Sequence, residues 1–354
     1  MFRNEEYFTL WGDPGMYSPG TGMVMADRQI RRALENNSIK LDEIGNAKAI
    51  VTRAIDGKWF MISGGWGNDE VPTAMMGAIC GDVAGSVYEH RNIKYKPEPN
   101  RLIRHSARIT DDSVMTCAVA DGLRRGLSML PKEWLHAPQA EAVLFASVRD
   151  ALRFFGRKYP HAGYGGRFRQ WLAEDDPRPY NSWGNGSAMR ASYAGWVAAS
   201  LEEAEKLAEI SAMVTHDHPE GIKGAKAVAG SIFLLRDRGS PSDVKSYAGR
   251  FYDLSFTLDE IRDSYAFDVS CMGSVPQAIK AFLEGFGFSD VIANAISIGG
   301  DSDTIAAIAG SIAEVIFPIP QGVRGRVIDR MDPFLQDTVA EAVDFMFRRL
   351  PADN

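Results

Sequence analysis

Two segments of this sequence place carboxylate and hydroxyl side chains in a row, directly before an apolar helical pattern. The first is ITDDSVMTCAVADGL (residues 109–123), and the second is SIGGDSDTIAAIAGSIAEVIF (residues 297–317). Asp, Ser and Thr are favoured at helix N-termini, where they cap free N–H groups and complement the helix dipole. Capping explains one such start. Two starts, each opening a nearly uncharged helix that must be buried, favour an acidic site over capping alone.

The chemistry of such a site follows from its oxygen ligands. Carboxylates that converge in a low-dielectric interior repel one another unless they are protonated or neutralised by a cation. A set of oxygen ligands without His or Cys selects hard cations such as Mg²⁺ or Mn²⁺. Each segment offers two carboxylates and a hydroxyl, which is enough to hold two ions. Two ions ~3.5–4 Å apart can orient a substrate and activate a bound water.

A glycine-containing helix pattern precedes the first acidic segment. In MMGAICGDVAGSVYEH (residues 75–90), Gly77, Gly81 and Gly85 recur every four residues and form a bare helical stripe. Tight packing against another helix explains the glycines. It does not explain Asp82 among them, or Glu89 where the pattern ends. A carboxylate on such an exit loop can serve a metal site as acid, base or lid.

Three further segments contain candidate ligand-binding residues. PHAGYGGRFRQWL (160–172) and RPYNSWGNGSAMRAS (178–192) are glycine-rich loops before helices, where backbone N–H groups suit a phosphate and aromatic rings suit a flat base. Taken alone, each loop is more simply an ordinary turn. THDHPEG (215–221) has two histidines that invite a metal interpretation. We favour one histidine bonding substrate or backbone and the other starting a helix, since carboxylates already suffice for a hard ion.

In their order, GAICGDVAGSVYE, TDDS, YGG, SWGNGSAMR, THDHPEG and GGDSDT resemble the ADP-ribosylglycohydrolase family, over roughly residues 73–320. The resemblance implies an all-α fold, a dinuclear Mg²⁺ centre (sometimes Mn²⁺), and hydrolysis of the N- or O-glycosidic bond that joins ADP-ribose to a protein side chain. Either Glu89 or Asp112 would take the proton from water. The metal ligands implied by matching position are Thr110, Asp111, Asp112, Asp301, Asp303 and Thr304. The implied substrate-binding residues are Gly163, Tyr164, Gly165, Gly166, Asn181, Ser182, Trp183, Gly184, Asn185 and His216.

The finer function rests on the same resemblance. The motifs look closer to those of bacterial members, many of which act on arginine, so we expect ADP-ribosyl-arginine as substrate. The alternatives are a serine-linked or free ADP-ribose derivative, or a binding module with a vestigial site. Retention of all six implied ligands favours an active enzyme.

The elements that position these residues divide the chain into two predicted parts. Residues 1–72 form an N-terminal α+β extension, with loop at the start, a helix over 25–36 and a β-hairpin around Asp56-Gly57, a pair typical of a type I′ turn. Residues 73–354 form a compact all-helical bundle, because helical patterns follow one another without strand patterns between them. The predicted helices span 73–87, 112–127, 139–155, 166–173, 187–199, 201–214, 219–238, 243–251, 274–285, 289–297, 303–316 and 334–348.

Composition limits the partners. The 354 residues carry a formal net charge of −7, which argues against sequence-independent nucleic-acid binding. The three cysteines are widely spaced and are predicted to be reduced, buried thiols, and neither a membrane span nor a signal peptide is evident, so we expect a cytoplasmic protein.

Some family members resembling this chain are immunity proteins whose extension occludes a cognate ADP-ribosylating toxin. Aromatic and Met residues of this extension would suit such an interface: Phe2, Tyr7, Phe8, Trp11, Met16 and Tyr17.

Overall fold

The computed structural model describes residues 74–350, apart from the side chain of Asn100, and the backbone of five strands nearer the N-terminus. The strands form one antiparallel sheet in the order β2-β1-β5-β4-β3. The predicted hairpin is confirmed, because Ile55 of β4 pairs with Lys58 of β5. The strand bounds are β1 Tyr7–Gly12, β2 Met23–Ala26, β3 Ile39–Asp42, β4 Ile50–Ile55 and β5 Lys58–Gly65.

The start of the extension differs from the expectation. Residues 7–12, expected as loop, are strand β1, which has β2 on one side and β5 on the other. Neighbours on both sides supply hydrogen bonds that the local sequence does not reveal. The predicted helix over 25–36 is wrong at its first two residues, since Met25 and Ala26 belong to β2; residues 27–36 lie outside the described part of the chain.

The rest of the described chain is helical, as predicted. The segment expected as one helix over 187–199 is two helices, interrupted at Arg190 and Ala191. Two short α-helices, 258–262 and 321–328, were not predicted. The fifteen α-helices that the structure describes are α1 Met76–Gly85, α2 Asp111–Ser128, α3 Ala140–Lys158, α4 Gly166–Ala173, α5 Gly186–Met189, α6 Ser192–Val197, α7 Leu201–Met213, α8 Pro219–Arg236, α9 Pro241–Ala248, α10 Leu258–Arg262, α11 Cys271–Leu283, α12 Phe288–Ser297, α13 Ser302–Ala313, α14 Gln321–Ile328 and α15 Pro333–Arg349.

Helix α1 packs directly against α13. Every residue of both helices is buried. The glycine stripe of α1 faces the α13 backbone: a Cβ added at Gly81 would lie 2.7 Å from the amide nitrogen of Ala307, and one at Gly85 would lie 2.6 Å from that of Asp303. Tight packing therefore accounts for the glycines. The antiparallel contact brings the end of α1 to the start of α13, where the second acidic segment lies.

Two expectations about composition can be compared with the structure. All three cysteines are free and buried, as predicted. Within the described residues, no helix combines the length and apolarity needed to cross a membrane. The division of the chain at residues 72 and 73 stays a prediction.

Candidate metal and substrate site

The first acidic segment is held against α1 by Asp82. This fully buried carboxylate accepts hydrogen bonds from the Thr110 amide (3.0 Å) and hydroxyl (2.7 Å), and from the amide (3.1 Å) and hydroxyl of Ser113. The Thr110 hydroxyl oxygen in turn caps α2 by accepting from the Asp112 amide at 3.3 Å. Thr110 is thus the N-cap of α2. Asp82, which the sequence left without a role, fixes the first turn of α2 from the neighbouring helix.

The second acidic segment begins with a backbone that requires glycine. Gly299 and Gly300 have φ of 72° and 70°, in the left-handed region. The Gly300 amide donates to the Asn92 side-chain oxygen at 3.1 Å. Asp301 follows as the N-cap of α13, but its carboxylate makes no capping hydrogen bond. It accepts instead from the side-chain amide of Asn185 at 2.7 Å, so capping does not explain this residue.

The two acidic segments meet in space. The Thr304 hydroxyl donates to Oδ2 of Asp112 at 3.3 Å, across 192 residues of sequence. One ligand atom each of Asp82, Asp112 and Asp303 lie within 4.8 Å of one another, and the same holds for Glu89, Asp301 and Asp303. Four aspartates from three helix segments and the glutamate that follows α1 therefore surround one region, and Asp111 lies near enough for the charges of Asp82, Asp301 and Glu89 to raise its pKa.

This cluster has the electrostatics of a site built for cations. Burial raises the pKa of Asp111 to about 7, with the Asp82 charge adding to the effect. Burial likewise raises the pKa of Asp112 and Asp303 well above the ordinary value, and nearby carboxylates raise them further. Within residues 74–350, no lysine or arginine forms an ion pair with the aspartates of this cluster, which are Asp82, Asp111, Asp112, Asp301 and Asp303.

One atom of the cluster points directly to a missing partner. Oδ1 of Asp112 is buried and has no hydrogen-bond partner among the described residues. A buried, unpaired carboxylate oxygen is costly, and a cation is the partner that removes the cost without protonation. The donor set is oxygen only, which fits Mg²⁺ or Mn²⁺.

Only some of the predicted metal ligands lie in the two carboxylate groups. Asp112, Asp301 and Asp303 lie in the two carboxylate groups, whereas Asp111 lies in neither. Asp111 is partly buried and faces residues 163–166, here called the Gly163 loop. A Cβ at Gly163 would lie 3.1 Å from Oδ1 of Asp111. The hydroxyls of Thr110 and Thr304 already bond Asp82 and Asp112, respectively. Glu89, predicted as a catalytic candidate, joins the second group from the turn after α1.

The Gly163 loop borders the cluster at Asp111. Gly163 has φ of 119°, which favours glycine. Positions 165 and 166, at the start of α4, have open space where a Cβ would stand. The Tyr164 ring is buried and packs against Phe168 at a centroid distance of 5.2 Å, so it is not presented for stacking on a base.

The second loop, residues 181–185, is connected to the cluster through Asn185. The Asn185 side chain donates to Ser274 (2.9 Å) as well as Asp301, and no local sequence pattern predicts either contact. The Asn181 amide donates to Asp217 (2.6 Å), and the Ser182 hydroxyl oxygen accepts from the Gly184 amide (3.1 Å). The Trp183 side chain is 50% exposed, which leaves it free for a ligand.

The two histidines of THDHPEG have different surroundings. Nδ1 of His218 accepts from the Glu220 amide at 3.1 Å and caps α8, so the expectation of a helix-starting histidine is confirmed. His216 is buried, and burial lowers its pKa well below the usual value, with the charge of Arg190 adding to the effect. Its Nε2 faces the second loop, since a Cβ at Gly186 would lie 3.1 Å away.

Comparison with known proteins agrees with this geometry. The sequence profile of the ADP-ribosylglycohydrolase family matches residues 68–343. "ADP-ribosylhydrolase ARH3" of Bos taurus is 26% identical, over 70% of this chain and 84% of the relative, and that of Mus musculus is 28% identical, over 70% and 83%. An uncharacterized protein of Archaeoglobus fulgidus is 32% identical, over 46% of this chain and 59% of that protein.

A solved structure shares the fold. It is titled "ADP-ribosylglycohydrolase-related protein complex" and superposes with a TM-score of 0.53 at 18% identity, over 78% of this chain and 98% of that one. The predicted helical fold is thereby confirmed. Because the family profile covers most of the sequence and all of the acidic cluster, the chain belongs to the ADP-ribosylglycohydrolase family.

Proposed function

We propose that this protein hydrolyses the glycosidic bond that joins ADP-ribose to a modified protein side chain, at a centre of two divalent cations. The observation that carries the proposal is the meeting of the two acidic helix starts, in which Thr304 bonds Asp112 and Oδ1 of Asp112 has no partner. Family membership and the ARH3 relatives support the substrate class.

The residues that would hold the cations are Asp112, Asp301 and Asp303, together with Asp111, Thr110 and Thr304, and Glu89 lies beside Asp301 and Asp303. Asp82 uses both carboxylate oxygens in hydrogen bonds, so we assign it to positioning α2. When bound, two divalent cations would supply Lewis-acid binding of substrate oxygens and a more acidic water. Mg²⁺ is the expected ion, and Mn²⁺ has the same ligand preference.

The chain's own groups then have separate tasks. Asn185 holds Asp301 in one orientation through a 2.7 Å hydrogen bond. We propose Glu89 as the proton acceptor, because its side chain is 25% exposed and lies on a turn, whereas Asp112 is enclosed and bonded to Thr304. The loops at 163–166 and 181–185 would hold the ADP-ribose, with Trp183 and His216 at its edge.

The test compares two substitutions on the same helix. Asp112→Asn removes a proposed ligand, and Asp121→Asn makes the same change nine residues later, where Asp121 pairs with Arg124 and Arg125. We expect Asp112→Asn to lower the release of ADP-ribose from modified protein by ~100-fold or more, and Asp121→Asn to leave it near wild type. Full turnover by a folded Asp112→Asn protein would refute the assignment.

For the acceptor we propose arginine, on the strength of the TDDS, GNGSAMR and GGDSDT motifs. Arginine-linked and serine-linked ADP-ribosyl proteins, assayed side by side with the same enzyme preparation, distinguish the linkages. Faster release from the serine-linked protein would overturn the arginine proposal and leave the hydrolase proposal intact.

We also propose that residues 1–72 bind a cognate ADP-ribosylating toxin. Support comes from the aromatic residues Tyr7, Phe8 and Trp11, whose backbone forms part of β1, while Phe2, Met16 and Tyr17 lie outside the described residues. Deletion of residues 1–70 should abolish toxin binding and retain hydrolysis, with circular dichroism checking that the helical body is folded. Unchanged binding and protection would exclude the extension as the inhibitor.

A further inference from the structure

A buried arginine next to the second loop lacks the partner that buried arginines usually have. Arg190 is 1% exposed and follows α5. Its Nη2 donates to the Thr215 hydroxyl (2.7 Å) and the Ser211 carbonyl (3.4 Å), and its Nε has no hydrogen-bond partner. Within the described residues, no salt bridge joins it to a carboxylate. Burying an unpaired cation is costly, so its place in the fold needs a reason.

The reason lies in His216, the residue that follows Thr215 in the chain. The Thr215 hydroxyl that Arg190 contacts is also 2.7 Å from Nδ1 of His216. Thr215 is fully buried, so water does not compete for this hydroxyl. The three groups form a line from the interior to the loop: a guanidinium, a hydroxyl, and an imidazole whose Nε2 faces Gly184 and Gly186.

The hydrogen-bond donors and acceptors along this line favour one tautomer of His216. A guanidinium has donors only, so the Thr215 oxygen must accept from Arg190. The single hydroxyl proton of Thr215 is then available to Nδ1 of His216. A neutral imidazole that accepts at Nδ1 carries its proton on Nε2. The Tyr180 hydroxyl also lies beside Thr215 and can either accept the Thr215 proton or donate its own phenol proton to the Thr215 oxygen. The second arrangement leaves the Thr215 proton for Nδ1 of His216.

We propose that Arg190 is a positioning residue: acting through Thr215, it fixes His216 as the neutral Nε2–H tautomer and presents that donor to ligand oxygens at the 184–186 loop. The inference rests on the proposed function, since the ligand in question is the ADP-ribosyl group. The positive charge behind the histidine also favours an anionic ligand over a neutral one.

Two pairs of variants test the proposal. Thr215→Val removes the hydroxyl and Thr215→Ser keeps it. Arg190→Met removes the donor, and Arg236→Met removes a partly buried arginine at the far end of α8, which bonds the Ala198 carbonyl. The readout is the tautomer of His216, measured by ¹⁵N NMR of histidine-labelled protein; its signals are assigned among the six histidines with His216→Gln. Thermal unfolding checks that each variant is folded.

We expect the Nε2–H form in wild type, Thr215→Ser and Arg236→Met, and a mixture of tautomers in Thr215→Val and Arg190→Met. Loss of this one donor should raise KM about tenfold with little change in kcat, because His216 lies outside the metal cluster. An Nδ1–H tautomer in wild type, or unchanged spectra in folded Thr215→Val, would overturn the proposal. If Arg190→Met does not fold, the Thr215 pair decides. An inactive wild type would refute the hydrolase function without changing the tautomer result.

Discussion

Replacement of Gly81 by alanine tests whether the α1–α13 contact sets the position of the acidic cluster. The added Cβ would lie 2.7 Å from the Ala307 amide nitrogen and closer still to the Ala306 carbonyl. Both are backbone atoms inside a fully buried helix, so neither can rotate away, and the two helices must separate. Overpacking of this kind costs about 3 kcal/mol, which outweighs the gain of about 1 kcal/mol that alanine brings over glycine in a helix.

The matched control is Gly325→Ala in α14, where the added Cβ would meet no atom within 4 Å. That variant should gain stability, by up to about 1 kcal/mol. The midpoint temperature of thermal unfolding of Gly81→Ala should be lowered by roughly 3 °C for a net loss of about 2 kcal/mol in a protein of this size. Because Asp82 and Asp303 are carried by the separated helices, its Mg²⁺ affinity, measured by calorimetry, should fall as well. A Gly81→Ala protein as stable as wild type would refute this account of the glycine stripe.

Two further predictions concern the cluster itself. Asn185→Ala removes the hydrogen bond to Asp301 and should weaken Mg²⁺ binding by about tenfold, measured by calorimetry, whereas Ser182→Ala in the same loop should not weaken it; equal affinities for the two variants would contradict the role given to Asn185. In metal-free protein, unfolding free energy should fall as pH rises from 3.8 towards about 7, because folded Asp111 keeps a proton that the unfolded chain has lost. Saturating Mg²⁺ should abolish that fall, and a metal-free protein whose stability rises across the window would show that the carboxyls are not destabilising one another.

Much of the fold was accessible from sequence because the helices carry local signals. Pro219, Pro241 and Pro333 stand at helix starts, and the predicted ends fall within a few residues of those observed. The short helix at 258–262 was missed although Thr257 and Glu260 form a capping box, because five residues are too few to show a helical apolar pattern. Strand β1 was missed because one of its two pairing partners, β5, is distant in sequence.

The residue types of the candidate site were predictable from the sequence, whereas the hydrogen bonds between its residues were less so. The two acidic starts were evident, because nearly uncharged helices that open with carboxylates are unusual. The task of Asp82 was not evident, since its four hydrogen bonds reach residues about 30 positions away. Asn185 is predicted to contact substrate, and its hydrogen bond to Asp301, across 116 residues, was not evident from the sequence. Such contacts depend on tertiary packing, which no local pattern encodes.

The central claim is that the acidic cluster is stabilised by divalent cations, and ion counting tests it most directly. Metal-free protein is titrated with Mn²⁺, and free Mn²⁺ is followed by electron paramagnetic resonance for wild type, Asp112→Asn and Asp121→Asn. The account predicts two bound ions per chain in wild type and Asp121→Asn, competition by Mg²⁺, and loss of at least one ion in Asp112→Asn. Wild-type protein that binds no Mn²⁺, or an Asp112→Asn protein that binds it as well as wild type, would contradict the account.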